Sequence, residues 1–537
     1  MRLRMYLLVV LLGVFITPAA AQDQELLTFS APDCDYGGNL KSIEALDALT
    51  VRFTFCQPDP AFPYKAAFSA FAISPSEYLQ STGGGGDLIR KPIGTGPYQV
   101  DHWDAGKELV LKANPHYWGL SPYDPTLIIR WSSEAADRLD ALKAGDVDGI
   151  DNPAPEDFDA IAADPSLALF ERPSTNVFYL GINNTIAPFD NPKVRQAIAY
   201  AIDKAGIVHD FYPEGSVAAE QFMPPSIFGY TPEVQDVAYN PEMAKQLLQD
   251  SGVTLPIEAT LSYANVVRSY LPKPTAIAGR IHDELAAIGI DAQLDLEEWT
   301  SYLDAAEEGK LSLHLLGWGA DYPDATNFLD YHFGAGASPQ FGTKLADITT
   351  PLTQAARLGD VAQRYPIYVQ ANTAIRDLVP MVPIAHATSG TAFRASVRGA
   401  HSSPLSSEYF AVMDDVTDDT LVWMQNAEPS GLYCADESDG ESLRICVQVS
   451  ESLLAYEISG TRVMPSLARD YVSNADATEW TFHLREGVLF HDGSALDADD
   501  VVMSYDVQWD AANPLHVGRT GDFTYFSAFF GGFLNAK

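Results

Sequence analysis

The sequence predicts an α/β fold distributed over at least two domains. Three observations carry this. At 537 residues the chain exceeds what one hydrophobic core usually serves. Two stretches repeat a strand–helix–strand pattern, which packs as mixed or parallel sheet with helices on both faces. Further stretches alternate like hairpin strands, so antiparallel sheet is expected as well.

The elements follow from local patterns, in chain order. "TVRFTF" (Thr50–Phe55) alternates as a hairpin strand. Gly83 to Gly86 lack the Lys-Ser/Thr that follows a phosphate loop, and they read as a flexible surface loop. Leu127–Trp131 is a strand. Ala135, Leu139 and Leu142 mark a helix face ending at Gly145, and "VDGI" resumes as strand. In the second unit Ile257, Ala259, Leu261 and Tyr263 alternate with polar residues. Ile277, Ile281, Leu285 and Ile288 then share a helix face stopped by Gly289. Ile290–Leu296 alternates again, a short polar helix follows near Leu303–Gly309, and "LSLHLLGW" is a third strand ending at Trp318. "WTFHLREGVLF" reads as hairpin strands and "FHDGSALDADD" as a turn opening a helix. The last twelve residues, "FSAFFGGFLNAK", form an aromatic run that needs a packing partner.

Composition narrows the function. There are 72 Asp plus Glu against 33 Lys plus Arg, a formal charge of −39. Such a surface repels nucleic acid and anionic lipid, so neither is an expected partner. Arg2 and Arg4 precede the apolar run Tyr6–Ile16, followed by Ala19, Ala20 and Ala21, the order of a secretory signal peptide spanning 1–21. No later apolar run is long enough to span a membrane, and no Cys sits directly after the cleavage site. A soluble, exported protein is expected. Export permits disulfides among Cys34, Cys56, Cys434 and Cys446. Cys434 with Cys446 would close a short polar loop, contributing about 3 kcal/mol, and Cys34 with Cys56 is the natural second pair. Four cysteines still allow three connectivities.

No catalytic motif is present: no GxSxG, HExxH or CxxC. No metal or cofactor is implied. "GWGADYPDATNF" is the one candidate site, because it directly follows a strand, where α/β sheets gather ligands. Trp318 offers an apolar wall, and Asp321 a carboxylate able to hold an ammonium group. The competing reading makes Asp321 a cap for residues 322–327 and Trp318 a core residue.

Several segments together carry a resemblance. They are "NVFYLGINNTIAPFDNPKVRQAIAYAIDK" (Asn176–Lys204), "IGTGPYQV", "NPHYWG", "FMPPSIFGY", "YNPEMAKQLLQDSG", the Trp318–Asp321 segment and "WTFHLREGVLFHDG". The sequence resembles the bacterial solute-binding proteins of the dipeptide, oligopeptide and nickel ABC-transporter family (family 5). The resemblance implies a type II periplasmic-binding-protein-like fold of two lobes with mixed sheets and an interlobe cleft. It implies a small-molecule ligand, most often a peptide, ABC permease subunits as partners, and a monomer in the periplasm. It gives Asp321 the ligand's α-amino group, places Trp318 and Tyr322 in the same pocket, sets Asn183 at the hinge, and has Tyr433 face the ligand from the large lobe. The lobes would be 177–388 (small) and 22–176 with 419–537 (large), with 389–418 as a joining segment. The alternatives are an exported hydrolase using Asp321 and Asp324, and a ligand sensor of the same fold.

The family order is rearranged. The segments Asp419–Ser438 and Trp480–Gly493 resemble the family's opening module, yet here they come last. "LKSIEALDALTVRFTFCQPDPAF", which follows that module in the family, begins here at Leu40. Reading 417–537 and then 40–416 restores the order, as in a circular permutation. The alternative is a truncated tandem of two binding proteins. Permutation predicts that the final aromatic run packs near Asn39.

Overall fold

Val51, Phe53 and Phe55 are buried on one face of the strand Thr50–Phe55, and that alternation fixes which way the strand sits on its core. The computed structural model describes residues 26–266 and 268–536; the signal-peptide segment lies outside them. Thr50–Phe55 belongs to a five-stranded antiparallel sheet ordered Thr28–Ser30, Leu40–Asp47, Thr50–Phe55, Glu479–Leu484, Ala468–Ser473. Phe53 stands opposite Trp480, and Val51 opposite Phe482. The start and end of the chain thus share one sheet.

The aromatic run is absorbed there. Thr524–Phe530 is a helix ended by Gly531 at positive φ. Phe526, Phe529 and Phe530 are buried. Phe530 stacks on Phe55 with ring centres 6.2 Å apart and meets Phe71 at 5.4 Å. Gly84 closes another such junction. It sits at positive φ so close to the Leu515 carbonyl that a Cβ would lie 2.0 Å from it, and the Gly518 N–H donates to its carbonyl at 2.8 Å. The middle of the glycine run, Gly84 and Gly85, is therefore a packed joint between distant segments, while Gly83 and Gly86 stay at the surface as the composition suggested.

A seven-stranded mixed sheet runs in the order Tyr98–Asp104, Glu108–Ala113, Thr126–Trp131, Thr420–Gln425, Gly149–Asp151, Ser389–Arg394, Leu167–Arg172. Thr420–Gln425 is parallel to both of its neighbours, although more than half the chain separates it from them. Trp423 packs its ring against Phe393 and Phe410 in the core. Beneath lies a closed ring of buried charges. Arg172 reaches Asp151 at 3.0 Å and Glu408 at 2.6 Å; Arg444 reaches Asp151 at 2.7 Å and Glu408 at 2.8 Å. Each charge is paired twice, which such burial requires. Burial opposes the ionised form of Glu408, but the two guanidinium groups hold it down at about 2.

The third sheet has six strands, all between Asn176 and His386, ordered Val217–Ala218, Met381–His386, Asn176–Ile182, Leu313–Gly319, Ile257–Ala264, Ile290–Glu297. Phe178, Leu180 and Ile182 face helices Pro192–Ala201, Pro241–Ser251 and Pro274–Ile288, while Val177 and Tyr179 face helices Ala346–Ala355 and Val361–Leu378. Both faces are covered, as the strand–helix–strand pattern implied.

The chain crosses between the last two sheets twice, at residues 173–175 and 387–388. Asn176 clasps the two crossings together: its carboxamide donates to the Ala387 carbonyl at 2.9 Å and accepts from the Ala387 N–H at 3.0 Å. Cys34 is bonded to Cys56, and Cys434 to Cys446.

Candidate functional site

Two parallel strands, Ile257–Ala264 and Leu313–Gly319, lie side by side in the six-stranded sheet. Their carboxyl ends open on the same edge. Arg268 follows the first and Asp321 the second. Both line one cavity of about 410 Å³, together with Trp318, Tyr331, His332 and Gln340. A sheet edge of this kind is where α/β folds place ligands.

Asp321 is half-buried. Its orientation is set by Asn327, whose amide donates to the carboxylate at 2.9 Å while its oxygen accepts from the Asp321 N–H at 3.0 Å and the Trp318 indole N–H at 3.3 Å. Burial pushes the Asp321 carboxyl above its ordinary range, and the Asn327 bond offsets part of that. Trp318 lines the cavity with its ring stacked 4.4 Å from Tyr331. His332 is held neutral: burial drives it down to about 3 although the Phe328 carbonyl accepts its bond at 2.8 Å. The wall beside Asp321 therefore brings no imidazolium that would repel a cation.

The capping role goes to Asp324 instead. It accepts from the Thr326 N–H at 3.0 Å and hydroxyl at 2.9 Å, and takes both arms of Arg364 at 2.8 and 2.6 Å. Asp324 and Arg364 are fully buried. A hydrolase using Asp321 with Asp324 thus lacks its second carboxyl, since both oxygens of Asp324 are committed.

The remaining candidates lie elsewhere. Tyr322 turns away from the cavity and packs on Phe529, ring centres 4.9 Å apart. Tyr433 is buried in the core around the five-stranded sheet, edge-on to Phe523 at 6.3 Å, and lines no part of the Asp321 cavity. Asn183, expected at the hinge, is not at the crossings between the sheets. It follows the far end of strand Asn176–Ile182, where it donates to the Gly309 carbonyl at 2.7 Å and accepts from Thr185. The expectation erred by a strand's length: the asparagine at the crossings between the sheets is Asn176. Arg268 was not anticipated. Its signal was positional, a base just past a strand that runs parallel to the one preceding Asp321.

Comparison with known proteins places this arrangement. The sequence profile of the bacterial extracellular solute-binding proteins, family 5 (middle), matches residues 17–340 and 462–522. Heme-binding protein A of Haemophilus influenzae is 32% identical over 378 residues, covering 69% of this chain and 69% of that one. The dipeptide-binding protein of Escherichia coli is 32% identical over 378 residues, covering 69% of this chain and 71% of its own. Among solved structures, HbpA2 from Haemophilus parasuis aligns with a TM-score of 0.65 at 30% identity, over 68% of this chain and 73% of that one. The fold is the two-lobed type II periplasmic-binding-protein fold.

Proposed function

The chain belongs to the bacterial extracellular solute-binding proteins of family 5, and on that premise we propose that it captures a short peptide with a free amino terminus and passes it to an ABC importer. One observation carries the ligand class: Asp321 and Arg268 line the same cavity from adjacent parallel strands. A peptide zwitterion offers an ammonium to the carboxylate and a carboxylate to the guanidinium, both as charge-assisted hydrogen bonds. The H. influenzae relative is named for heme, but heme brings no ammonium for Asp321 to pair with. The peptide reading therefore fits this cavity better.

Binding would favour the closed arrangement of two bodies, 177–388 against 22–176 with 419–537, because only the closed form offers contacts from both. Residues 389–418 join the family's original termini. The mature protein, freed of residues 1–21, works as a soluble monomer outside the cytoplasmic membrane and releases its peptide unaltered. No helix among the described residues is long and apolar enough to cross a membrane, which accords with that placement. The permuted order is supported by the shared five-stranded sheet and by alignments that stop near two thirds of each partner.

Native mass spectrometry of the purified protein tests the ligand. A carried-over mass that fragments as a peptide is expected. Carriage of a tetrapyrrole or another non-peptide solute would overturn the assignment.

A further inference from the structure

Tyr322 is the one buried residue between 89 and 432 in the core cluster surrounding the five-stranded sheet, among the described residues; Ile93 and Trp118 pack against that cluster only partly buried. Its neighbours in sequence serve the cavity: Asp321 lines it, and Asp324 anchors the following turn on Arg364. Its ring leaves them and enters the other body. There it meets Phe529 edge-on at 4.9 Å. Lys65 lies over the same ring with Nζ 5.4 Å from its centre.

The receiving socket is built, not incidental. Lys65 is buried, pairs with Asp59 at 2.7 Å and donates to the Phe529 carbonyl at 2.8 Å. One ammonium therefore fixes the acid beneath it, the end of the last helix, and the face offered to Tyr322. Phe529 is held from behind by Phe68 at 5.3 Å and Phe71 at 5.5 Å. An aromatic ring against a preset cation and a ring edge is a favoured, directional contact. Away from the crossings, a further direct bond between the two bodies, from the Thr461 hydroxyl to the Ser226 carbonyl at 2.7 Å, involves half-buried residues.

We propose that Tyr322 is a closure latch: its ring docks in the Lys65–Phe529 socket and holds the lobe carrying Asp321 against the lobe carrying the chain's last helix. This rests on the lobe-closure reading above. Tyr322 acts as a positioning residue, without touching the peptide. Its covalent neighbour Asp321 engages the ligand, so docking of the one places the other. The contact contains no ligand atom, so it favours closure whether or not the cavity is filled.

Small-angle X-ray scattering of the mature protein without added peptide tests this independently of the ligand's identity. Tyr322→Ala is expected to increase the radius of gyration, with the closed-to-open ratio falling about fivefold, the factor that about 1 kcal/mol of ring contact represents. Phe529→Leu, which keeps an apolar side chain in the socket, should shift the ratio the same way. The double variant should open no further than Tyr322→Ala alone, and Tyr322→Phe should scatter as the unaltered protein does. Thermal melting of each variant shows whether it is folded. If Tyr322→Ala melts early, Phe529→Leu decides the matter. Identical scattering of a folded variant and the unaltered protein, or opening effects that simply add in the double variant, would overturn the latch. Failure of the protein to bind peptides would leave this result standing.

Discussion

The backbone N–H of Asn39 donates to the carbonyl of Phe530 at 2.6 Å, so the last helix is bonded directly to the entry of the strand Leu40–Asp47. Phe530 stacks on Phe55 and is buried. Phe530→Ala should destabilise the protein by about 3–5 kcal/mol, the usual cost of emptying a core of a phenyl ring. Urea titration measures it. A loss near zero would mean that the helix does not hold this end of the core.

The same bond bears on chain order. A gene rebuilt as 417–537 followed by 40–416 should yield a protein with the same far-ultraviolet spectrum and the same ligand affinity, because Asn39 already bonds Phe530 beside one junction and the other falls in the turn between strands Asp414–Asp415 and Thr420–Gln425. A rebuilt chain that fails to fold would count against permutation.

Arg364 and Asp324 form a fully buried pair. Arg364→Met should cost about 3–5 kcal/mol, since it strands a buried carboxylate rather than deleting a balanced pair. Replacing Asp324 by Asn in the same variant should recover part of that loss. Denaturation curves of the single and double variants read both effects.

Arg268 should distinguish the two ends of a peptide. Arg268 is exposed, so Arg268→Ala is expected to weaken a dipeptide by up to about 1 kcal/mol, the range for a solvent-exposed ion pair. The carboxy-amidated form of that dipeptide should bind the variant and the unaltered protein alike. An equal loss for both would assign Arg268 a structural role.

Acid should weaken binding earlier than an ordinary aspartate would allow. Burial raises the Asp321 carboxyl, so falling pH protonates it above the usual value of about 3.9. The ammonium partner needs the ionised form, so affinity is lost as pH falls through that raised value. The effect on stability has the opposite sign. A carboxyl with a raised folded pKa favours the fold most at low pH and loses that contribution as pH rises through the raised value. His332, at about 3, stays uncharged through this window. Calorimetry across the acid range should therefore show affinity falling before the protein unfolds, with proton release on binding.

Much of the fold could be read directly. The strand–helix–strand unit from Ile257 to Trp318 was legible from its periodicity, and the structure places strands at Ile257–Ala264, Ile290–Glu297 and Leu313–Gly319, although Leu294 and Leu296 of the edge strand are exposed. Asp321 was found because it follows a strand. What escaped depended on contacts between segments far apart in sequence. Gly84 is packed only because Leu515 crosses it. Tyr433 reads as an exposed aromatic in a polar loop until Phe523 covers it. Asn183 and Asn176 bracket the same strand, and only the pairing of Asn176 with Ala387 shows which end meets the crossings between the sheets. Arg268 has no pattern of its own; the parallel register of two strands brings it to the Asp321 cavity.

The most direct test of the account is isothermal calorimetry with a set of dipeptides and their N-acetylated counterparts, on the unaltered protein and on Asp321→Ala. The account predicts that dipeptides with a free amino group bind the unaltered protein, that acetylation abolishes most of the affinity, and that Asp321→Ala loses about 2–5 kcal/mol for the free forms alone. Equal binding of free and acetylated dipeptides, or an Asp321→Ala variant with unchanged affinity for the free forms, would contradict it.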